Sequence, residues 1–492
     1  MDHTVAFDIG TTAVKGVLMD EQLTVLAEES VTLVTYYEAG GRVEQEPKAW
    51  YDAFCTICRG FAAQLPAEER ITAVVMSGQM QDTIGLDAER EAVGRAILYA
   101  DSRAQRQAGY LQERLGSAAM TAITGNEMNA SLPFAQLLWL KEEEPKRYER
   151  FAHVVFSAKD HIIAQLTGEA VTDLTTAATV GLLDITRHCW RIDWLEAVGL
   201  APELLPRLAR AEELAGRVTE QAAKQCGLPV GTAVYTGLGD AGAAALASGI
   251  TSPDEITIHL GTSGWVAAIS QTVRRQPTVF NLVAADTDYY LNVVPFLNAG
   301  NVRAWAAQTF AGSDHERLRD LAAASAPGAG GVFCLPYLTG ERYPVLDGQV
   351  RGSFLGITPE TQTADLARAA LEGVAYSIRQ GLDSLNVAAE TIMLIGGGAQ
   401  DPLWCQILAD VLGKRVSVLD KSDYLPAMSL AALVQMARGK INDHPTLVKM
   451  LRQQSGSTTY HPAPDAVRSY DRFYERYLQI YPLLRAFYAA GD

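Results

Sequence analysis

The sequence predicts an α/β protein built as two related halves that face each other across a cleft. ITAVVM (71–76), AVYTGL (233–238), EITIHL (255–260) and TIMLIG (391–396) are short apolar segments bounded by glycine or polar residues, and they read as buried strands. Helical patterns lie between them, an order that implies mixed or parallel sheets covered by helices. The third observation is an internal repeat. VAFDIGTTAVKGVLM (5–19) returns as TIHLGTSGWVAAIS (257–270), with Asp8-Ile9-Gly10-Thr11-Thr12 aligned on His259-Leu260-Gly261-Thr262-Ser263 at an offset of 251.

Each copy places Gly-Thr-Thr or Gly-Thr-Ser between two apolar strands, the pattern of a hairpin whose turn exposes backbone N–H groups and two hydroxyls. Two such turns facing each other would suit a triphosphate gripped from both sides. Asp8, at the end of the first strand, is placed to organise Mg²⁺ and its waters beside the phosphates.

WYDAFCTICRGFAAQL contains a C-x-x-C at Cys55 and Cys58. Without a second pair or a nearby histidine, two small residues on the buried face of a helix, with Phe54, Ile57 and Phe61, are expected rather than a redox or metal site.

TGLGDAGAAA (236–245) admits two readings. Gly237, Gly239 and Gly242 have the G-x-G-x-x-G spacing of a dinucleotide-binding turn, and Asp254 follows at about the right distance for its ribose-binding acid. However, Asp254 and Glu255 precede the next strand rather than ending it, and about a dozen residues are too few for a crossover unit of ~30 or more. The second reading centres on Asp240, a carboxylate with little bulk around it, placed to accept a proton from an attacking hydroxyl. The boundary between the halves falls near residues 249–253, giving domains 1–248 and 249–440 and a helical extension 441–492.

DPLWCQILADVLG (401–413) carries Asp401 as N-cap, Pro402 in the first turn and Gly413 as stop. SYDRFYERYLQIY sets Tyr470, Phe473, Tyr474, Tyr477, Leu478 and Tyr481 on one face of a packed terminal helix that Pro482 should interrupt.

The 492 residues suffice for two or three domains. A formal charge of −16 argues against nucleic acid as a partner, since that footprint needs a basic face. No leader pattern opens the sequence and no apolar run is long enough to span a bilayer, so no membrane partner is expected and the cytoplasm is the expected location. Six cysteines without a framework spacing agree with a reducing compartment.

Taken together these residues resemble the FGGY family of carbohydrate kinases over nearly the whole chain. Asp8–Thr12 resembles the family's first phosphate motif, Gly261-Thr262-Ser263-Gly264 its second, and Gly396-Gly397-Gly398-Ala399 its adenosine-binding turn. GSFLGITPETQTADLARAALEG (352–373) fits the second family signature, and PYLTGERYP (336–344) and ILYADSRAQ (97–105) are also similar. The resemblance implies two actin-like, hexokinase-like (ribonuclease H-like) domains with ATP and Mg²⁺ in the cleft. The nucleotide would be held by Gly10, Thr11, Thr12, Lys15, Gly261–Gly264 and Gly397, Gly398 and Ala399, with Asp8 toward the metal. Asp240 would be the catalytic base on a terminal hydroxyl, and Met80, Gln81, Asp82, Asp101 and Asp240 would touch the sugar. A homodimer is a further expectation of the resemblance.

Within the family, ITGNEMN (123–129), LLWLKEEEP (137–145) and SAKDHIIAQLTGE (157–169) are most similar to xylulokinases, which implies conversion of D-xylulose to D-xylulose 5-phosphate. The chain departs from that pattern at Gln79-Met80-Gln81-Asp82, where xylulokinases typically carry Gln-Met-His-Gly. Ala241 follows the base in place of asparagine, Gln136 stands for a usual lysine, and 426–430 lacks an expected glycine. Another ketose, an alditol or a sugar acid is therefore the alternative acceptor. From other classes, an interaction ATPase on the same core is disfavoured by the signature at 352–373, and a nicotinamide enzyme rests only on Gly237–Gly242.

Overall fold

The structure is a computed structural model that describes residues 2–419 and 424–489. Its first sheet contains β1 (Asp2–Ile9), β2 (Ala13–Met19), β3 (Val25–Thr32), β4 (Arg70–Gly78) and β5 (Ala233–Tyr235) in the order β3-β2-β1-β4-β5. β1, β2 and β3 are antiparallel neighbours, whereas β4 runs parallel to β1 and β5 parallel to β4.

The second sheet repeats this plan with β6 (Ile256–Leu260), β7 (Gly264–Ser270), β8 (Tyr290–Phe296), β9 (Thr391–Ile395) and β10 (Arg415–Leu419), ordered β8-β7-β6-β9-β10. The same antiparallel and parallel relations recur. The two hairpins differ by one residue. Ile9 pairs with Val14 across the first turn, but Leu260 pairs with Gly264 across the second.

Helices α1 (Pro47–Gln64) and α2 (Ala158–Thr167) pack in the first half. Phe54, Ile57, Cys58 and Phe61 of α1 are fully buried, and burial pushes the Cys55 thiol up to about 12, so this pair serves packing rather than redox chemistry. Helix α3 (Asp240–Ala247) ends the first half.

In the second half, α4 (Thr363–Leu385) starts with a Gln362/Asp365 capping box, and α5 (Pro402–Leu412) has Asp401 accepting from the Leu403 and Trp404 N–H groups and Gly413 at φ +62° as stop. Helix α6 (Leu425–Ala437) lies against β1, β4 and α3 of the first half, so one core joins Ala6 and Val75 to Leu430 and Leu433.

Helix α7 (Pro464–Ala489) buries Tyr470, Tyr474 and Tyr477 around Tyr376 of α4. Two expectations change here. Leu478 is left exposed, and the helix continues through Pro482, because the carbonyl that proline leaves unbonded belongs to this solvent-facing turn where water can take it. The segment after 441 is also not purely helical: Ser457–Tyr460 forms an edge strand on β10.

The clamp on α7 is ionic. Arg368 donates to Glu372 (2.6 Å) and to the Tyr470 hydroxyl (2.8 Å), which itself donates to Glu372 (2.6 Å), and all three are buried. Replacing one partner of such a pair strands the other charge. Glu372→Ala should therefore lower stability by about 3–5 kcal/mol in urea unfolding.

Candidate active site

The site starts from one row across the first sheet. Asp8 of β1 pairs with Ser77 of β4, and Ser77 pairs with Leu238 on its other side. The Ser77 hydroxyl donates to Asp8 Oδ1 at 2.9 Å. Asp240 follows Leu238 by two residues as the first residue of α3, which brings both carboxylates to the same end of the sheet.

The glycines of 236–245 make this approach sterically feasible. Gly237 has φ +67°, and a Cβ there would lie 1.9 Å from the Met76 carbonyl oxygen. A Cβ on Gly239 would meet Met80 Sδ at 2.0 Å, and one on Gly242 would meet Thr175 at 3.0 Å. Each glycine is thus explained by close packing, with no pyrophosphate required, and α3 leads to no crossover strand of a dinucleotide unit.

Asp240 opens onto the cleft while protein surrounds it at depth. Burial, followed by the charge of Asp8, pushes its carboxyl up to about 7, against the Ala241 N–H that donates to Oδ1 at 2.7 Å. Asp8 is itself raised by burial, despite Ser77 and its cross-strand partner Lys15.

A buried cluster that the sequence reading did not single out fixes the loop before Asp240. Lys159 of α2 lies 2.6 Å from Asp160 and 2.8 Å from Asp173. Asp173 accepts from the Thr176 hydroxyl (2.6 Å) and from the Gly239 N–H (3.3 Å). Burial works against the Lys159 charge, but the two aspartates outweigh it and hold its pKa up. The available signal was a charged Lys-Asp pair opening the otherwise apolar stretch AKDHIIAQL.

Opposite this row, the second hairpin presents an uncharged surface. His259 and Trp265 are a cross-strand pair with stacked rings, 5.3 Å between centroids, and burial keeps His259 low and neutral. Gly261 passes over that imidazole, Gly264 is buried, and Thr262 and Ser263 are exposed. A Cβ on Gly398 would strike Leu260 at 2.4 Å and Ala399 is buried, whereas Gly397 faces open space. Asp8, Lys15, Asp240, His259, Trp265 and Gly397 line one cleft of about 710 Å³. On the first turn, Thr11 donates to Gln79 (2.8 Å) and Gln45 donates to the Thr11 carbonyl (2.6 Å). Gly10 is closed against the Ala13 carbonyl (3.1 Å), and Thr12 is exposed.

Residues 80–82 form an irregular stretch of the strand Met80–Leu86: Met80 pairs with Ser157, and the next partners are Ile84 and Val155. Gln81 has φ +67°, a strained conformation for a side-chain residue, and its amide donates to the Ser131 hydroxyl (2.7 Å) and carbonyl (3.0 Å). Asp82 is fully buried and faces Asp240 and Asp160; burial, and then the Asp240 charge, raises its pKa well above the carboxylate range. Gln136, in the position of the usual lysine, accepts from Thr83 (2.6 Å) behind this strand.

Asp101 is engaged differently from the sequence expectation. Arg103 grips both its oxygens (2.7–3.0 Å) and the Val43 N–H donates to Oδ2 (2.7 Å), so the carboxylate anchors its loop and is not free to take a ligand hydroxyl. The neighbouring Tyr99 is exposed on that loop, and after burial the charges of Asp240 and Asp82 raise its phenol further.

Residues 3–247 match the N-terminal domain, and 256–431 the C-terminal domain, of the FGGY family of carbohydrate kinases. The chain belongs to this family. As an FGGY kinase it is a phosphotransferase acting on a carbohydrate hydroxyl, on the two-domain actin-like, ribonuclease H-like fold. It is 29% identical to xylulose kinase of Escherichia coli (strain K12) over 489 residues, 98% of this chain and 99% of the relative. Ligand-bound xylulose kinase from Lactobacillus acidophilus superposes with a TM-score of 0.91 at 28% identity, and gluconate kinase from Lactobacillus acidophilus with 0.91 at 27%, each covering 100% of both chains.

An FGGY kinase uses a nucleotide and typically a divalent ion, and the donor set beside Asp8 is compatible with Mg²⁺. Among the described residues Asp8 Oδ1 is taken by Ser77, Oδ2 accepts from no protein donor, and no cluster of three or more His, Cys, Asp or Glu forms a protein cage there. Mg²⁺ characteristically uses one or two carboxylates and completes its shell with water and phosphate.

The raised Asp240 value predicts two pH effects. A base must be ionised, so kcat/KM for the acceptor should fall about tenfold per unit below pH 7 and level off above it, read from initial rates. Because the folded-state value lies above that of the unfolded chain, ionising Asp240 costs stability as pH rises from about 4 to about 7. Asp240→Asn should accordingly raise Tm at pH 8 and leave it little changed at pH 4 in thermal scans.

Proposed function

We propose that this FGGY kinase transfers the γ-phosphoryl group of ATP to the terminal hydroxyl of D-xylulose, giving D-xylulose 5-phosphate and ADP. The observation that carries the chemistry is the pair Asp8 and Asp240, brought to one end of the sheet by the row through Ser77. The choice of sugar is supported by the near full-length similarity to xylulose kinases.

In this reading the triphosphate lies between Gly10–Thr12 and Gly261–Gly264, with Lys15 beside it and the base near Gly397, whose open side leaves room for a flat ring. Asp8 would hold Mg²⁺, which supplies charge neutralisation at the phosphates. Asp240 accepts the hydroxyl proton as that oxygen bonds to the γ-phosphorus and the bond to ADP breaks, so the proton ends on the carboxylate and the charge on ADP. A carboxyl that titrates near 7 is matched to accepting a proton at neutral pH. Asp173, itself paired with Lys159, accepts from the Gly239 N–H and thereby holds the start of α3.

Gluconate is the second reading, favoured by the equal superposition of a gluconate kinase. ADP release from MgATP with D-xylulose, D-ribulose, L-xylulose, erythritol and D-gluconate separates the two, and turnover of D-xylulose well above the others is expected. Strong turnover of gluconate alone would reassign the sugar and keep the base.

Asp240→Ala should lower kcat by ~10²-fold or more while nucleotide affinity stays near normal, as measured by steady-state kinetics and nucleotide titration. Thr12→Val should instead raise the KM for ATP, with kcat changed little.

A further inference from the structure

We propose that Gln79 positions the first phosphate turn, and that the Thr11 hydroxyl is committed to this brace, leaving the backbone N–H groups of the turn and the Thr12 hydroxyl to hold phosphate. The inference rests on the reading of this chain as an ATP-dependent kinase with its triphosphate at Gly10–Thr12, and adds to it a positioning residue and a division of labour within the turn.

Four side chains lie in a row behind that turn. The Thr11 hydroxyl donates to Gln79 Oε1 (2.8 Å), Gln79 Nε2 donates to Gln45 Oε1 (2.9 Å), and the Trp50 indole N–H of α1 donates to the same oxygen (2.9 Å). Gln45 Nε2 closes the circuit by donating to the Thr11 carbonyl (2.6 Å) and to the Thr35 hydroxyl (2.8 Å). Gln45, Trp50 and Gln79 are buried and Thr11 is half-buried.

Chemistry fixes the direction of each bond in this chain. An indole N–H can only donate and a carbonyl can only accept, so Gln45 turns its oxygen to Trp50 and its amide nitrogen to Thr11. Gln79 faces that oxygen with its own nitrogen, which leaves its oxygen toward Thr11. The Thr11 hydroxyl must then donate inward, and its proton is not free for a phosphate oxygen. Thr12 is exposed, and among the described residues its hydroxyl has no protein partner.

Gln79 also acts through its backbone. It follows β4 directly, and its N–H donates to the Ile9 carbonyl (2.9 Å), so main chain and side chain together fasten the residues on both sides of Gly10. A turn built on glycine keeps its N–H groups aimed at a ligand only where its neighbours hold its dihedral angles, and a satisfied buried polar network supplies that rigidity.

The test is a double-mutant cycle of Thr11→Val and Gln79→Met, with Thr11→Ser as the conservative control, read by calorimetric titration of MgATP and by steady-state kinetics with D-xylulose. Each of the two single variants should weaken MgATP binding and raise its KM about tenfold. KM for D-xylulose should stay within about twofold. Both changes act through one hydrogen bond, so the double variant should bind MgATP little worse than the weaker single variant; independent effects would instead multiply to about a hundredfold. Thr11→Ser keeps the hydroxyl and should retain the wild-type affinity. The proposal is overturned if folded Gln79→Met binds MgATP like wild type, if the two effects multiply, or if KM rises equally for both substrates. If Gln79→Met does not fold, Gln45→Met breaks the same chain from its other end and takes its place in the cycle. Wild type that fails to bind MgATP would overturn the kinase reading itself. Wild type that binds MgATP without turning over D-xylulose would reassign the sugar, and the MgATP titrations would then decide the role of Gln79.

Discussion

The row Asp8–Ser77–Leu238 across three adjacent strands is the constraint from which the site follows. A strand shifted by one residue turns its side chains to the opposite face, so this register decides whether Asp8 looks into the cleft or away from it. The same row sets where α3 begins, and with it Asp240. Burial, and then the charge of Asp8, raises the proton affinity of Asp240, so that carboxyl acquires its range from where the sheet register places it. The tight turn at Gly237 and the buried Lys159 cluster serve this one placement.

The two halves share a topology and differ in charge. The first half's wall of the cleft carries Asp8 and Lys15 on the hairpin strands, and Asp240 lies beside them; the second half's wall offers the His259–Trp265 stack and the open face of Gly397. Approach of the halves therefore brings a charged wall toward an uncharged one, without opposing carboxylates. The shorter second hairpin, with Leu260 paired to Gly264, fits this division, because its buried glycine lets the turn sit against Ala299.

Much of the fold was legible in the sequence because local chemistry and tertiary structure agree there. The repeated Gly-Thr turns, the Asp401 cap, the Gly413 stop and the apolar face around Cys58 are each readable within a dozen residues. The site was legible as far as its turns and the meeting of Asp8 and Asp240 in one cleft. Gly237, Gly239 and Gly242 stayed ambiguous because spacing alone does not tell a phosphate cradle from a backbone pressed against Met76 and Met80. Asp82 and Asp101 look equivalent as acids beside a predicted pocket, but Arg103 closes on one and nothing closes on the other. The partnership of Lys159 with Asp173 spans another strand and a turn, which no local pattern encodes. Pro482 misled for the opposite reason: a strong local signal was overridden where the helix faces water.

Helix α6 belongs by sequence to the second half, yet it covers β1 and β4 of the first and joins the same core. During synthesis, then, the first sheet emerges long before the helix that shields its inner face. At ordinary elongation rates the delay between Asp240 and Ala437 is on the order of ten seconds or more. An apolar face waits through that interval, and the ribosome-bound chain presents a natural client surface for holding chaperones until its last covering helix is made.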